Sequence, residues 1–91
     1  MKLGFIGCGK IASSVIAGIS KSSIKYSKIF ISERNRKISK GLKKKYKKIF
    51  IEKNNQKIID NSNWVFLAVT PKVGENIIKN LRFKSNQMII S

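Results

Sequence analysis

The chain contains no histidine and one cysteine, Cys8. These absences exclude a disulfide framework and a Cys/His zinc site within its 91 residues, and no metal is expected. The absence of His also leaves few groups able to move a proton near neutral pH, so no general acid and no catalytic residue is named. Acids are scarce too, with four Asp and Glu against 20 Lys and Arg. Proline occurs once, at Pro71. No apolar run approaches the roughly 20 residues of a membrane span. The opening Lys2-Leu3-Gly4-Phe5-Ile6 is too short, and too soon interrupted by Gly, for a secretory signal. A reduced, cytoplasmic protein fits this composition.

Hydrophobic residues make up 42% of the chain and run through all of it. That argues against disorder, because enough apolar surface is available to offset chain entropy. The length suits one small domain, 1–91, or part of a larger one. A chain of this size buries roughly 60–65% of its unfolded surface, so its margin of stability is thin. The formal net charge of +16 raises nucleic acid or an acidic membrane as a partner. The excess of Lys, Ile and Asn touches every segment alike, however, which is the mark of an AT-rich genome and not of a designed patch. No nucleic-acid recognition motif is present. Phe30, Phe50 and Phe66 fall on strands, where core packing explains them. A small molecule is the expected partner, with no nucleic acid and no membrane.

The hydrophobic pattern changes period repeatedly. Leu3 to Ile6 reads as a strand closed by Gly7. Ile11, Val15, Ile16 and Ile19 recur at helical spacing, giving a helix from Lys10 to about Ser20. Lys28 to Ser32 is a second strand, rich in β-branched and aromatic residues. Ile38, Leu42 and Tyr46 mark a second helix whose other faces are lysine-rich, and Ile49-Phe50-Ile51 a third strand. Asn54 or Asn55 can cap a short helix carrying Ile58 and Ile59. Trp64 to Val69 is the most continuous apolar run and suits a strand buried on both faces of a parallel sheet. Thr70-Pro71 ends it and opens a helix with an inner stripe of Val73, Ile77 and Leu81. Met88-Ile89-Ile90 is a fifth strand. Alternation of this kind predicts an α/β fold: a Rossmann-like parallel sheet of five strands, with right-handed crossovers and helices on both faces.

Gly7-Cys8-Gly9-Lys10-Ile11-Ala12 stands between the first strand and the first helix. Gly-x-Gly-x-x-Ala in that context is the phosphate loop of a dinucleotide site. Gly7 allows the tight turn, Gly9 lets the backbone approach a pyrophosphate, and Ala12 lets helix and strand pack closely. The helix start offers unpaired N–H groups and about half a positive charge. Cys8 reads as a spacer. Lys10 points to solvent or to a phosphate.

The residue closing the second strand of such folds meets the adenine ribose. An acid there binds the 2′-hydroxyl of NAD, and a nearby Arg accommodates the 2′-phosphate of NADP. The chain reads Ser32-Glu33-Arg34-Asn35-Arg36-Lys37. Glu33 by itself argues for NAD. The hydroxyl, amide and guanidinium groups around it argue for phosphate, so NADP is favoured, with NAD a possible second cofactor.

Taken together these residues resemble pyrroline-5-carboxylate reductase, which forms proline. The resemblance lies in the opening Met1 to Ser13, in Ser32-Glu33-Arg34-Asn35, in Asn55 before a short helix and in Val65 to Pro71. It covers essentially all of the chain. It implies hydride transfer from NAD(P)H to the C=N bond of 1-pyrroline-5-carboxylate. It also implies cofactor contacts from Asn55 and from the turn Ala68, Val69, Thr70 and Pro71, besides the glycine loop and Ser32, Arg34 and Asn35. The family usually has Lys where this chain has Thr70, although Lys72 is close by, and often Asp where it has Asn63. The family's helical second domain, which forms the dimer and most of the substrate pocket, is expected to lie outside these residues. Related NADP oxidoreductases of the β-hydroxyacid dehydrogenase or deazaflavin (F420)-dependent type, a non-catalytic NADP-binding module and a basic nucleic-acid-binding domain are the alternatives.

Overall fold

Among the described residues, alternating strand and helix patterns give nine elements. They are β1 (Lys2–Ile6), α1 (Lys10–Lys21), β2 (Lys28–Ser32), α2 (Arg36–Lys45), β3 (Ile49–Glu52), α3 (Asn55–Asp60), β4 (Trp64–Leu67), α4 (Pro71–Ile78) and β5 (Met88–Ile90). The computed structural model describes residues 1–91 apart from Cys8, Arg34, Asn35, Thr70 and Ser91, and describes Pro71 and Val73 by their backbone alone.

The strands form one sheet in the order β3-β2-β1-β4-β5. All four pairings are parallel, as the β-α alternation requires. The chain moves outward from β1 on one side and returns to the other side for β4, so the order reverses beside β1. In sheets of this type ligands bind outside the carboxyl ends of the strands at that point.

Side chains alternate across the sheet. On one face Leu3, Phe5, Ile29, Ile31 and Ile49 pack against Ala12, Ile16 and Ile19 of α1 and Leu42 of α2. Phe5 stacks on Phe66 of the neighbouring β4, with ring centroids 4.5 Å apart. On the other face Ile6 and Val65 pack against Ile58 and Ile59 of α3, with Ile77, Leu81 and Phe83 around them. Gly4 points to this second face. A Cβ there would run into the Ser62 hydroxyl and would stand 2.7 Å from Cγ2 of Ile58, so α3 can cross β1 only because residue 4 has no side chain. Asn63 ties the chain after α3 to the first strand. Its side-chain carbonyl accepts from the Lys2 N–H at 2.8 Å, and its own N–H donates to the Lys2 carbonyl at 2.8 Å.

Several boundaries differ from the sequence expectation. β4 ends at Leu67, not Val69, because its partner β1 turns away at Gly7, whose φ is +84°. Of that run only Val65 is fully buried; Trp64, Phe66 and Leu67 are half-buried. α4 ends at Ile78, so Leu81 reaches the second core from beyond the helix. The expected place of Val73 in the stripe lies outside the described side chains. Phe50 is not a core residue. It is 40% exposed because β3 is an edge strand, and the ammonium groups of Lys28 and Lys43 lie 5.3 and 5.6 Å from its ring centre.

Candidate dinucleotide site

Gly7 is held from three sides. Its φ of +84° is one that L side chains rarely adopt, and a Cβ would collide with the Val69 side chain and stand 2.6 Å from the Ala68 carbonyl oxygen. Its N–H donates to the buried hydroxyl of Ser32 at 3.0 Å. The Ala68 N–H donates to the Ile6 carbonyl at 2.9 Å. The loop is thus wedged between the end of β2 and the turn after β4, and Ala68 and Val69 form its backing.

Gly9 is the N-cap of α1 in extended geometry, with no side-chain cap on the helix and no acid in its first turn. Among the described residues a Cβ on Gly9 would meet nothing within 4 Å. Packing among those residues therefore does not require glycine at this position. What the missing side chain provides is open space in front of the unpaired N–H groups of the helix start. Lys10 is exposed and Ile11 is 70% exposed, both at this mouth. Ala12 is fully buried against the sheet, which is the close helix–strand packing expected of it.

A crevice of about 210 Å³ runs from Ile6 and Gly7 past Ser32, Glu33, Lys53, Asn55 and Ile77. A second, of about 310 Å³, is lined by Glu33, Arg36, Ser39, Lys40, Ile51 and Lys53. Glu33 and Lys53 line both, so the two are neighbours at the carboxyl ends of β1, β2 and β3. Asn55 is free to face the first crevice because Asn54 is the residue that caps α3, its side chain accepting from the N–H groups of Gln56 at 2.8 Å and Lys57 at 3.3 Å. Ser32 is almost wholly buried. Its hydroxyl accepts from Gly7, and its carbonyl accepts from the Ser39 hydroxyl at 3.0 Å. It braces the loop from behind and joins it to α2. The Glu33 carboxylate pairs with Nε of Arg36 at 2.9 Å.

The structure therefore brings Gly7, Ser32 and Asn55 to one crevice, with Gly9, Lys10 and Ile11 at the loop's mouth and Ala68 and Val69 behind it. Cys8, Arg34, Asn35 and Thr70 lie outside the described residues. Pro71 starts α4, and its side chain also lies outside them. Sequence reasoning missed Ser39, Lys40, Lys53 and Ile77. Lys53 follows β3 as Glu33 follows β2, so the rule that ligands gather at strand ends could have found it. Among 20 Lys and Arg it did not stand out. Among the described residues no three potential metal ligands cluster, and no helix is long and apolar enough to cross a membrane.

The open space at Gly9, the helix start without an acid and the cations at the far end fit a dinucleotide lying along the strand ends. The solved 1-pyrroline-5-carboxylate reductase from the human pathogen Streptococcus pyogenes is similar to this chain, with 32% identity and a TM-score of 0.76 over 98% of it. The chain spans about a third (32%) of the length of that reductase. No curated protein matches the chain. Residues 2–91 match the model of the family described as NADP oxidoreductase, coenzyme F420-dependent, and the chain belongs to that family.

Proposed function

We propose that this chain is the NADPH-binding part of a reductase that converts 1-pyrroline-5-carboxylate to proline. The observation that carries the cofactor reading is Gly9, a glycine that packing among the described residues does not need, in front of a helix start without an acid. The substrate reading rests on the likeness to the Streptococcus pyogenes reductase and on Ser32-Glu33-Arg34-Asn35. In this reading the backbone at Gly9, Lys10 and Ile11 receives the pyrophosphate. Asn55 contacts the nucleotide from the start of α3. Arg34 and Asn35 meet the 2′-phosphate, and the turn from Ala68 through Thr70 to Pro71 borders the nicotinamide. The bound cofactor supplies the hydride; the chain positions it and shapes its surroundings. The reading places the substrate pocket and a homo-oligomer interface in a further domain, and the protein in the cytoplasm.

Titration of the chain with NADPH and NADH tests the cofactor half. Binding of NADPH below millimolar is expected, and a folded chain that binds neither would remove the reading. Arg34→Ala should weaken NADPH much more than NADH; equal losses would sink the 2′-phosphate assignment. The family description names coenzyme F420, which favours a deazaflavin-dependent reductase as the second reading. Turnover of reduced deazaflavin by the full-length protein, with none of 1-pyrroline-5-carboxylate, would select it.

A further inference from the structure

Phe50 is the one aromatic ring among the described residues that stands exposed; the others are buried or half-buried. It lies on the edge strand β3 and lines neither crevice of the dinucleotide site. Two ammonium groups reach it from separate elements, Lys28 of β2 at 5.3 Å and Lys43 of α2 at 5.6 Å from the ring centre. Lys48 and Lys45 lie over the rings of Tyr26 and Tyr46 in the same way, at 5.1 and 5.6 Å. No acid precedes Glu33 in the chain, and none stands between Glu33 and Glu52. Glu52 is two residues from Phe50, and its carboxylate accepts from the Asn54 N–H at 3.2 Å. A biased composition explains lysine anywhere, and lysine at a sheet edge guards against pairing with another strand. Neither explains an exposed phenyl ring beside two of them.

We propose that the outer face of β3 docks single-stranded nucleic acid: an unpaired base stacks on Phe50, and Lys28 and Lys43 hold the adjoining phosphates. An aromatic platform within a basic surface takes any base, because every base has a π-face. An exposed cation–π contact is weaker than the stacking of a base on the same ring. The base therefore takes the ring, and the displaced ammonium groups turn to phosphate. Lys45 and Lys48 extend the positive surface, and the net charge of +16 speeds encounter. A duplex keeps its bases stacked on one another and offers Phe50 none. An anionic membrane or an acidic peptide has no base to stack. The surface uses none of the residues assigned to the cofactor, so both sites can be filled at once.

The probes are a fluorescent oligothymidine of about 12 nucleotides and a duplex of the same length, titrated with the whole chain by anisotropy at several salt concentrations. The single strand should bind more tightly than the duplex. Phe50→Leu keeps an apolar side chain and removes the ring. It should lower single-strand affinity roughly tenfold and leave duplex affinity and the salt slope unchanged, while Phe50→Trp retains the binding. Lys28→Ala and Lys43→Ala should each reduce the salt slope by about 0.7. Lys79→Ala removes the same charge from the connection between β4 and β5, in the opposite half of the sheet, and should leave the slope unchanged. Saturating NADPH should not displace the strand. If Lys79→Ala matches Lys28→Ala, or if the duplex binds as tightly and Phe50→Leu changes nothing, general charge is responsible and the surface is overturned. Release of the strand by NADPH would put it in the dinucleotide site and overturn the surface as well. A folded chain that binds NADPH and no single strand overturns the surface alone, so the two readings fail separately.

Discussion

Gly7 and Gly9 stand two residues apart on one loop, and they face opposite demands. Gly7 is required from behind. Its backbone is left-handed, and a side chain would strike Val69 and the Ala68 carbonyl. Gly9 is extended, and a side chain there would enter open space. The back of the loop is therefore built by the fold, through Ser32, Ala68 and Val69. Its front at Gly9 is open. Two glycines that look equivalent in a motif separate into one that the fold requires and one that it leaves free to vary.

Substitutions can break this division. The largest loss of stability is expected at Gly7→Ala, which combines a disfavoured φ with collisions against backbone and side chain. Urea denaturation should show a loss of about 2–4 kcal/mol, a large fraction of the total stability of a domain this small. Ser32→Ala removes the buried acceptor of the Gly7 N–H. It should cost about 1–3 kcal/mol in the same measurement, and it should weaken cofactor binding only as far as the loop loosens. Ile11→Ala should change stability by less than about 0.5 kcal/mol, because the side chain is 70% exposed. Its NADPH affinity, read by fluorescence titration, should still fall, since Ile11 stands at the loop's mouth. A large stability loss at Ile11, or none at Gly7, would erase the contrast between front and back.

The same contrast marks what was legible in the sequence. The order of elements, the parallel sheet and the Gly-x-Gly-x-x-Ala turn were readable because period and spacing are local properties. Ala12 at the third motif position predicts close helix–strand packing, and it is buried against the sheet. The brace behind the loop was not readable: Ser32 and Gly7 are 25 residues apart, and nothing local in the sequence shows that the Ser32 hydroxyl accepts from the Gly7 N–H. Gly4 gave no signal either, since its reason is the passage of Ile58 and Ser62 over β1. Phe50 reads as a core residue in sequence but is exposed, because a strand pattern does not say which strand lies at the edge. Asn54 and Asn55 were interchangeable on paper, and only the helix start shows that the first caps and the second is free. Lys53 was hidden by the composition itself.

The most direct test of the loop is Gly9→Asp, because stability and binding should move in opposite directions. Aspartate is a good N-cap, and its charge suits the positive helix end. There is room for it, and α1 has no side-chain cap and no acid in its first turn. The variant should be as stable as the unaltered chain or more stable, by up to about 1 kcal/mol, while calorimetric titration with NADPH shows binding abolished by the carboxylate in the phosphate's place. Undiminished NADPH binding by a folded Gly9→Asp chain would contradict the account.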